Sequence, residues 1–268
     1  MSMKQVIVTG GSSGIGKALV DQLLAEGAAV YSLSRRLLPR EDFAPGGTLT
    51  QLACDITDGE SLDRAFDQIM DMTDSLDLLF SNAGFGISGA IADTPKAAVI
   101  RQFDVNVFSA VEVIRRAIPL LEKKQGRIIL TSSVAAGVAL PFQSFYSATK
   151  ASLNMLALAL SNELSPFGIK TIAVMPGDVA TPFTEHREKE DYAIRKYSRR
   201  SMQSVARMEN DERGGTPPAV IARKIIAISR KRRPKPLYGL GFFYRLTLLL
   251  FKLLPVRLTN RIIGRMYG

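Results

Sequence analysis

The chain holds one histidine and one cysteine in 268 residues, and that scarcity removes whole classes of chemistry. A single imidazole, His186, cannot assemble a metal cluster or a histidine-based nucleophile system. It reads as a surface loop residue. Cys54 has no partner for an internal disulfide, and Leu52-Ala53-Cys54-Asp55 looks like the end of a buried strand, so its role is packing. The apolar run Leu246 to Leu254 is interrupted by Lys252 and stopped by Pro255, which makes it too short to span a bilayer. No separate apolar segment with a small-residue cleavage site precedes the first strand-like run, so a cytoplasmic protein without a signal peptide is expected. No internal repeat or linker is visible.

Acidic residues are missing from one end only. Residues 1–186 carry 15 Lys+Arg and 19 Asp+Glu, whereas residues 187–268 carry 20 and 6. Beyond Glu212 there is no acid at all, against 13 lysines and arginines. The formal charge of +10 therefore belongs to the C-terminal part and not to the body of the fold. That basic stretch is interleaved with leucine and not with stacking aromatics in a polar groove, so nucleic acid is not an expected partner.

What remains is an ordinary globular composition, 46% hydrophobic and 22% charged, at a length suited to one well-buried α/β domain. Gln5 to Thr9 is a continuously apolar run that stops at glycine, as a central parallel strand does. Helical spacing follows from Ile15 to Glu26 and ends at Gly27. Strands are expected at Ala28–Leu33, Leu49–Ala53, Leu76–Ser81, Arg127–Thr131 and Lys170–Val174, with helices between them. A long helix is expected over Ala97–Lys123, and another carries Tyr146 and runs to Leu164. The alternation predicts a Rossmann-type doubly wound parallel sheet of about seven strands, with ligands at the carboxyl ends of the strands. Residues 1–239 form the expected catalytic domain and 240–268 a cationic amphipathic extension. Within the domain, the polar segment 181–213 is expected to be a mobile helical flap.

The turn after the first strand, Thr9-Gly10-Gly11-Ser12-Ser13-Gly14-Ile15-Gly16, holds four glycines in eight residues. Glycine lets the backbone approach a pyrophosphate, and the following helix N-terminus offers free N–H groups and the positive end of its dipole. At the end of the second strand, where an NAD site places an acid to hold the ribose hydroxyls, the chain has Ser34-Arg35-Arg36. Without the acid a 2′-phosphate is not repelled, and two guanidiniums can grip it. The turn therefore points to NADP(H) in preference to NAD(H).

Tyr146-Ser147-Ala148-Thr149-Lys150 spaces a phenol and an ammonium four residues apart on one helix face. A neighbouring cation favours the ionised phenol, so Lys150 is expected to lower the pKa of Tyr146 toward neutrality. Thirteen residues before Tyr146 a strand ends in Ser132-Ser133, whose hydroxyl can donate to a carbonyl oxygen.

Together these motifs resemble the short-chain dehydrogenase/reductase family, in its compact single-domain branch. Thr9 to Gly16 is similar to that family's cofactor turn, Asn82-Ala83-Gly84 to its fourth-strand motif, and Asn106 to its helix-borne asparagine. Ser133, Tyr146 and Lys150 match its active-site set, and Pro176-Gly177 with Thr181 match the segment that cups the nicotinamide. The resemblance covers about residues 4–183. It implies an oxidoreductase in which Tyr146 is the acid in reduction and the base in oxidation, Ser133 polarises the substrate oxygen, and Asn106 holds a water linking Lys150 to solvent. Lys150 also binds the ribose. The implied cofactor contacts are Gly10, Ser12, Ser13, Gly14, Ile15, Gly16, Arg35, Arg36, Asp55, Ile56, Asn82, Ala83, Gly84, Tyr146, Lys150, Pro176, Gly177, Val179 and Thr181. Family members act as homodimers or homotetramers. One departure is visible: Leu37 to Thr48 is short and contains Pro39 and Pro45, so the usual helix between the second and third strands is expected to shrink to a turn.

On this template Phe85, Ile87, Leu140, Phe142 and Phe183 lie near the reacting carbon, which suits a lipophilic ketone, aldehyde or alcohol such as a steroid, retinoid or long-chain keto-lipid. Arg257, Arg261 and Arg265 recur every four residues with Leu258, Ile262 and Ile263 between them, the pattern of a helix lying on an anionic membrane surface. The competing expectation is that these helices pack on the domain or on a second subunit. A 3-oxoacyl-thioester reductase, with an acidic carrier docking on the tail, is the second enzymatic reading. A non-catalytic redox-sensing or membrane scaffold is the alternative from another class.

Overall fold

Strand β1 (Gln5–Thr9) buries both of its faces, which is why its sequence does not alternate. Ile7 enters one apolar cluster and Val6 and Val8 enter the other, on opposite sides of the sheet. These positions come from a computed structural model that describes residues 4–189 and 195–268. Residues 190–194, within the expected flap, lie outside the described ones, as do the first three.

After β1 come α1 (Gly14–Ala25), β2 (Ala29–Ser34), β3 (Thr48–Ala53), α2 (Gly59–Met72) and β4 (Leu78–Ser81). The segment between β2 and β3 holds only a 3-10 turn, Arg40–Asp42, in place of a helix. A short β5 (Ile87–Ser88) precedes α3 (Lys96–Phe103), which runs through a π-helical turn, Asp104–Phe108, into α4 (Ser109–Glu122). Then follow β6 (Arg127–Thr131), α5 (Ser144–Glu163), β7 (Lys170–Met175), β8 (Glu188–Lys189), α6 (Arg195–Arg213), α7 (Pro218–Ser229), β9 (Leu237–Gly239), α8 (Phe242–Leu253) and α9 (Val256–Tyr267). The main sheet has seven strands in the order β3-β2-β1-β4-β6-β7-β9, and every adjacent pair is parallel. It is a doubly wound sheet with α2, α4 and α5 packed through one cluster, and α1 and α7 through the other.

The strand order reverses between β1 and β4, which opens a crevice at their carboxyl ends. Thr9 closes that junction from below. Its buried Oγ1 accepts from Asn82 N at 3.0 Å and Ala83 N at 3.1 Å, fixing the end of β4 to the end of β1.

The C-terminal helices pack onto this edge. Strand β9 joins β7, and Leu240 N donates to Met175 O at 2.9 Å before α8 begins. Tyr244 on α8 lies so close over Gly177 that a Cβ there would enter its ring. Its hydroxyl donates to Asp178 Oδ2 at 2.7 Å and accepts from Asp178 N at 3.0 Å. Helix α9 meets α6: Tyr267 donates to Asp211 Oδ2 at 3.1 Å, and Arg207 lies 5.6 Å over the Tyr267 ring. The tail thus joins the loop after β7 to the helix of the polar segment.

Candidate active site

The carboxyl ends of β1, β4, β6 and β7 bring the expected site residues into one place. Helix α1 starts at the end of β1 with Ser13 at its N-cap, and no side chain caps it. Its first-turn N–H groups therefore face the crevice without a local side-chain acceptor, which fits an anion. Gly16 cannot be larger, because a Cβ there would run into Gly10 O and, at 2.7 Å, Asn82 Nδ2. Thr181, from the loop after β7, reaches the same turn; its Cβ lies 3.3 Å from where a Cβ of Gly14 would sit. Arg35 and Arg36 are exposed just past the end of β2. Asp55, past β3, accepts from Thr57 N at 3.0 Å and from Thr57 Oγ1 at 2.7 Å. Those bonds hold its carboxyl below the usual range, and the Arg35 charge adds to the effect.

Ser133 follows β6, and the backbone behind it is fastened to β7: Val134 N donates to Pro176 O at 2.9 Å. The Ser133 hydroxyl lies close enough to the Tyr146 phenol to favour its ionised form, and it accepts from Ala135 N at 3.1 Å. Lys150 is buried, and its ammonium donates to Thr131 O at 2.9 Å while lying 5.7 Å from the Tyr146 ring centre. Ser132 Oγ donates to Lys150 O at 2.9 Å, so β6 grips both ends of this residue. Asn106 sits within the π-helical turn, a distortion that recurs at functional sites. Its Nδ2 donates to Phe85 O at 2.9 Å and to Thr149 Oγ1 at 3.1 Å, and its Oδ1 accepts from Phe85 N at 3.0 Å. Asn106 and Lys150 meet at Gly84, where a Cβ would lie 3.1 Å from Asn106 Oδ1 and 3.4 Å from Lys150 Nζ.

One expectation reverses. Lys150 does not bring Tyr146 toward neutrality: burial pushes the phenol up to about 12, opposed by the Ser133 hydroxyl. Burial also lowers Lys150 to about 8. The spacing brings the two side chains together, but the ammonium turns to the Thr131 carbonyl, and desolvation of the phenol outweighs the Coulomb attraction. At neutral pH Tyr146 is therefore a protonated donor, suited to giving a proton to a carbonyl oxygen.

Among the expected pocket residues, Phe183 lies directly on the site, its ring 5.7 Å from that of Tyr146. Ile87 is buried in β5; Phe85 is tied to Asn106; and Phe142 O accepts from Gly89 N at 2.9 Å, joining the loops that carry Leu140 and Phe85. Pro176 and Gly177 form the turn under Tyr244, and Val179 bridges to Thr216. Sequence reasoning did not single out Thr131, Ser132 and Thr149, whose part is to position Lys150, Tyr146 and Asn106. Nor did it find Arg187, Glu212 and Tyr244. Strand-end hydroxyls were a visible signal for Thr131 and Ser132, and Thr149 stands beside Lys150 on α5. The others are brought in by tertiary contacts from a polar segment and a leucine-rich tail.

With this geometry in place, the comparisons with known proteins agree. The family model for short chain dehydrogenases matches residues 4–191. The chain is 33% identical over 242 residues to the 3-ketodihydrosphingosine reductase of Bacteroides thetaiotaomicron, covering 87% of this chain and 86% of that one. It is 34% identical over 197 residues to the NADPH-dependent 1-acyldihydroxyacetone phosphate reductase of Saccharomyces cerevisiae, covering 71% and 66%. A short-chain dehydrogenase from Streptomyces avermitilis superposes with a TM-score of 0.82 at 25% identity, over 98% of this chain and 97% of that one. The chain belongs to the short-chain dehydrogenase family. It is an oxidoreductase of that family, whose members use nicotinamide cofactors.

The pKa of Lys150 leads to a stability test. Its folded value, about 8, lies below the ordinary 10.5, so the burial penalty is fully present below pH 8 and native stability rises with pH between the two values. Lys150→Met is expected to abolish turnover yet melt a few degrees above the native protein near neutral pH, about 2–4 °C per kcal/mol gained in a chain of this size. That advantage should shrink as the pH is raised through the window. Melting curves at neutral and alkaline pH check it, and a variant less stable than the native protein at neutral pH would count against a buried, charged Lys150.

Proposed function

We propose that this protein reduces the carbonyl group of a lipophilic substrate with NADPH. The observation that carries the reading is the Ser133–Tyr146 pair, a half-buried phenol whose desolvation keeps it protonated at the carboxyl ends of the strands. Bound there, the cofactor supplies the hydride. The residues suited to hold it are the Gly10–Gly16 turn, Asn82 to Gly84, Asp55, Ile56, Pro176 to Thr181, and Lys150 for the ribose. The chain's own chemistry is the proton: Ser133 donates to the substrate oxygen, and Tyr146 gives it the proton it needs as an alkoxide develops. Lys150, whose ammonium donates to Thr131 O, fixes the strand end that carries Ser133. Two named relatives are reductases of lipid ketones, and the apolar residues around Tyr146 support the same substrate class.

The preference for NADPH rests on the two exposed guanidiniums past β2 and the missing acid. The Saccharomyces relative, described as NADPH-dependent, supports it.

A peripheral membrane location belongs to the same reading. No helix among the described residues is long and apolar enough to cross a membrane. The outer face of α8 nevertheless exposes Phe242, Phe243, Leu249 and Leu253, followed by Val256 on α9. Arg245, Lys252 and Arg257 stand among them, which suits the interface of an anionic bilayer. Exposed Phe108 and Met155 support a homodimer or homotetramer.

Tyr146→Phe is expected to remove turnover with long-chain ketones, on the order of 10²-fold or more, as loss of a general acid does. NADPH binding, read by fluorescence titration, should survive; retained turnover would refute the role given to Tyr146. Replacing Arg35 and Arg36 with alanine should weaken NADPH far more than NADH, and equal losses would remove the cofactor assignment. Leu249→Glu with Leu253→Glu should release the protein from sedimenting anionic liposomes while leaving NADPH binding intact; unchanged partitioning would exclude a tail contact.

A further inference from the structure

Arg187 takes no part in the proton transfer described above, yet its side chain is only 1% exposed. Its Nη2 donates to Glu212 Oε1, but its Nη1 is buried and has no hydrogen-bond partner among the described residues. An unpaired buried donor on a charged group is costly, and a protein retains one where an acceptor arrives. The place is specific. The Phe183 ring lies 5.7 Å from the Tyr146 ring and 5.6 Å from the Arg187 guanidinium, so it touches both. Gly86 forms the floor beneath both: a Cβ there would lie 3.0 Å from Phe183 Cζ and 3.7 Å from Arg187 Nε. Strand β8 holds the segment down, with Glu188 N donating to Gly86 O at 3.0 Å.

Helix α6 adds to the pattern. Ser201 and Ser204 are buried on its inner face, in a stripe with Val205, Met208 and Glu212, and neither hydroxyl has a partner among the described residues. The Arg187 charge is matched where it stands. Glu212 Oε1 accepts from its Nη2, and Glu212 Oε2 accepts from Thr184 Oγ1 at 2.6 Å. Glu209 is paired with Lys189 at 2.8 Å and lies 3.7 Å from Arg213. Because Glu212 already neutralises Arg187, the acceptor that Nη1 lacks need carry no charge.

Building on the reading of a lipid-carbonyl reductase, we infer that Arg187 is a substrate-recognition residue. Its Nη1 donates to an uncharged oxygen acceptor, a carbonyl or hydroxyl oxygen, carried by the substrate beside Phe183 and apart from the carbon that reacts at Tyr146. The substrate is therefore a lipid ketone with a second oxygen function where it reaches Arg187.

The test uses the full chain with NADPH and a ladder of long-chain ketones bearing an ester carbonyl at increasing distance from the ketone. Each is matched with a ketone of equal length that lacks the ester. The native protein should prefer the ester-bearing member at one spacing. In Arg187→Met that preference should fall by about ten- to hundredfold, the range for a hydrogen bond to a charged group, with KM carrying most of the change. Arg187→Lys keeps a cation beside Glu212 and should recover part of the preference; it also serves if the methionine variant does not fold. An unchanged preference in both variants, or equal losses on both members of each pair, would make Arg187 a structural clamp and overturn the inference. A native protein that reduces both members equally would overturn it while leaving the broader reading standing. Reduction of neither would remove both.

Discussion

A lysine taken out of water needs an acceptor, and the way Lys150 finds one arranges much of the site. Its ammonium reaches Thr131 O while Ser132 Oγ bonds its own carbonyl, so the end of β6 is locked against α5 at two points. Ser133, the next residue, is thereby placed beside a phenol one helical turn before Lys150. Asn106 extends the same lock through Thr149 to Phe85, which fixes the loop after β4. The cost is the burial that lowers the lysine's pKa and raises the tyrosine's. A sheet with parallel strands can bear that cost because many strand ends converge on one spot and supply carbonyls there.

The same packing explains which parts of the molecule were legible from residues alone. Strand β1 is a short apolar run bounded by glycine, and a helix with a clear polar–apolar period follows it; local chemistry fixes both. The missing helix between β2 and β3 was readable because Pro39 and Pro45 forbid a regular one. Long-range contacts were not readable. The expected single helix over Ala97–Lys123 contains a π-helical turn at Asn106 that no residue pattern announces. Helical spacing correctly placed Lys150 near Tyr146, but spacing cannot tell which acceptor an ammonium will choose or how dry the phenol will be. The direction of the Tyr146 shift was misread for that reason.

Arg187 was hidden for a related cause. In sequence it stands in a mixed-charge stretch, and its partner Glu212 is 25 residues further on. A buried ion pair of this kind becomes visible only when strand β8 brings its segment against β5 and α6 closes over it. Tyr244 is similar: in a leucine-rich tail it reads as one more apolar residue, yet its ring covers Gly177 and its hydroxyl holds Asp178.

On the proposed function, the arrangement separates proton transfer from substrate choice. Ser133, Tyr146 and Lys150 stand on strand ends and on a helix packed into the main core, where a shift would break several buried bonds at once. Phe183, Arg187 and the inner face of α6 lie on a segment held by two short strands, ion pairs and the tail. Those contacts lie outside the main core, so a change among them need not disturb the sheet. Substrate preference can therefore, on that function, change by substitutions between residues 181 and 213 while Tyr146 stays in place. The tail joins the two regions: α8 bears on the loop after β7 and α9 on α6, so the last helices tie the strand end at Asp178 to the segment that carries Arg207 and Asp211.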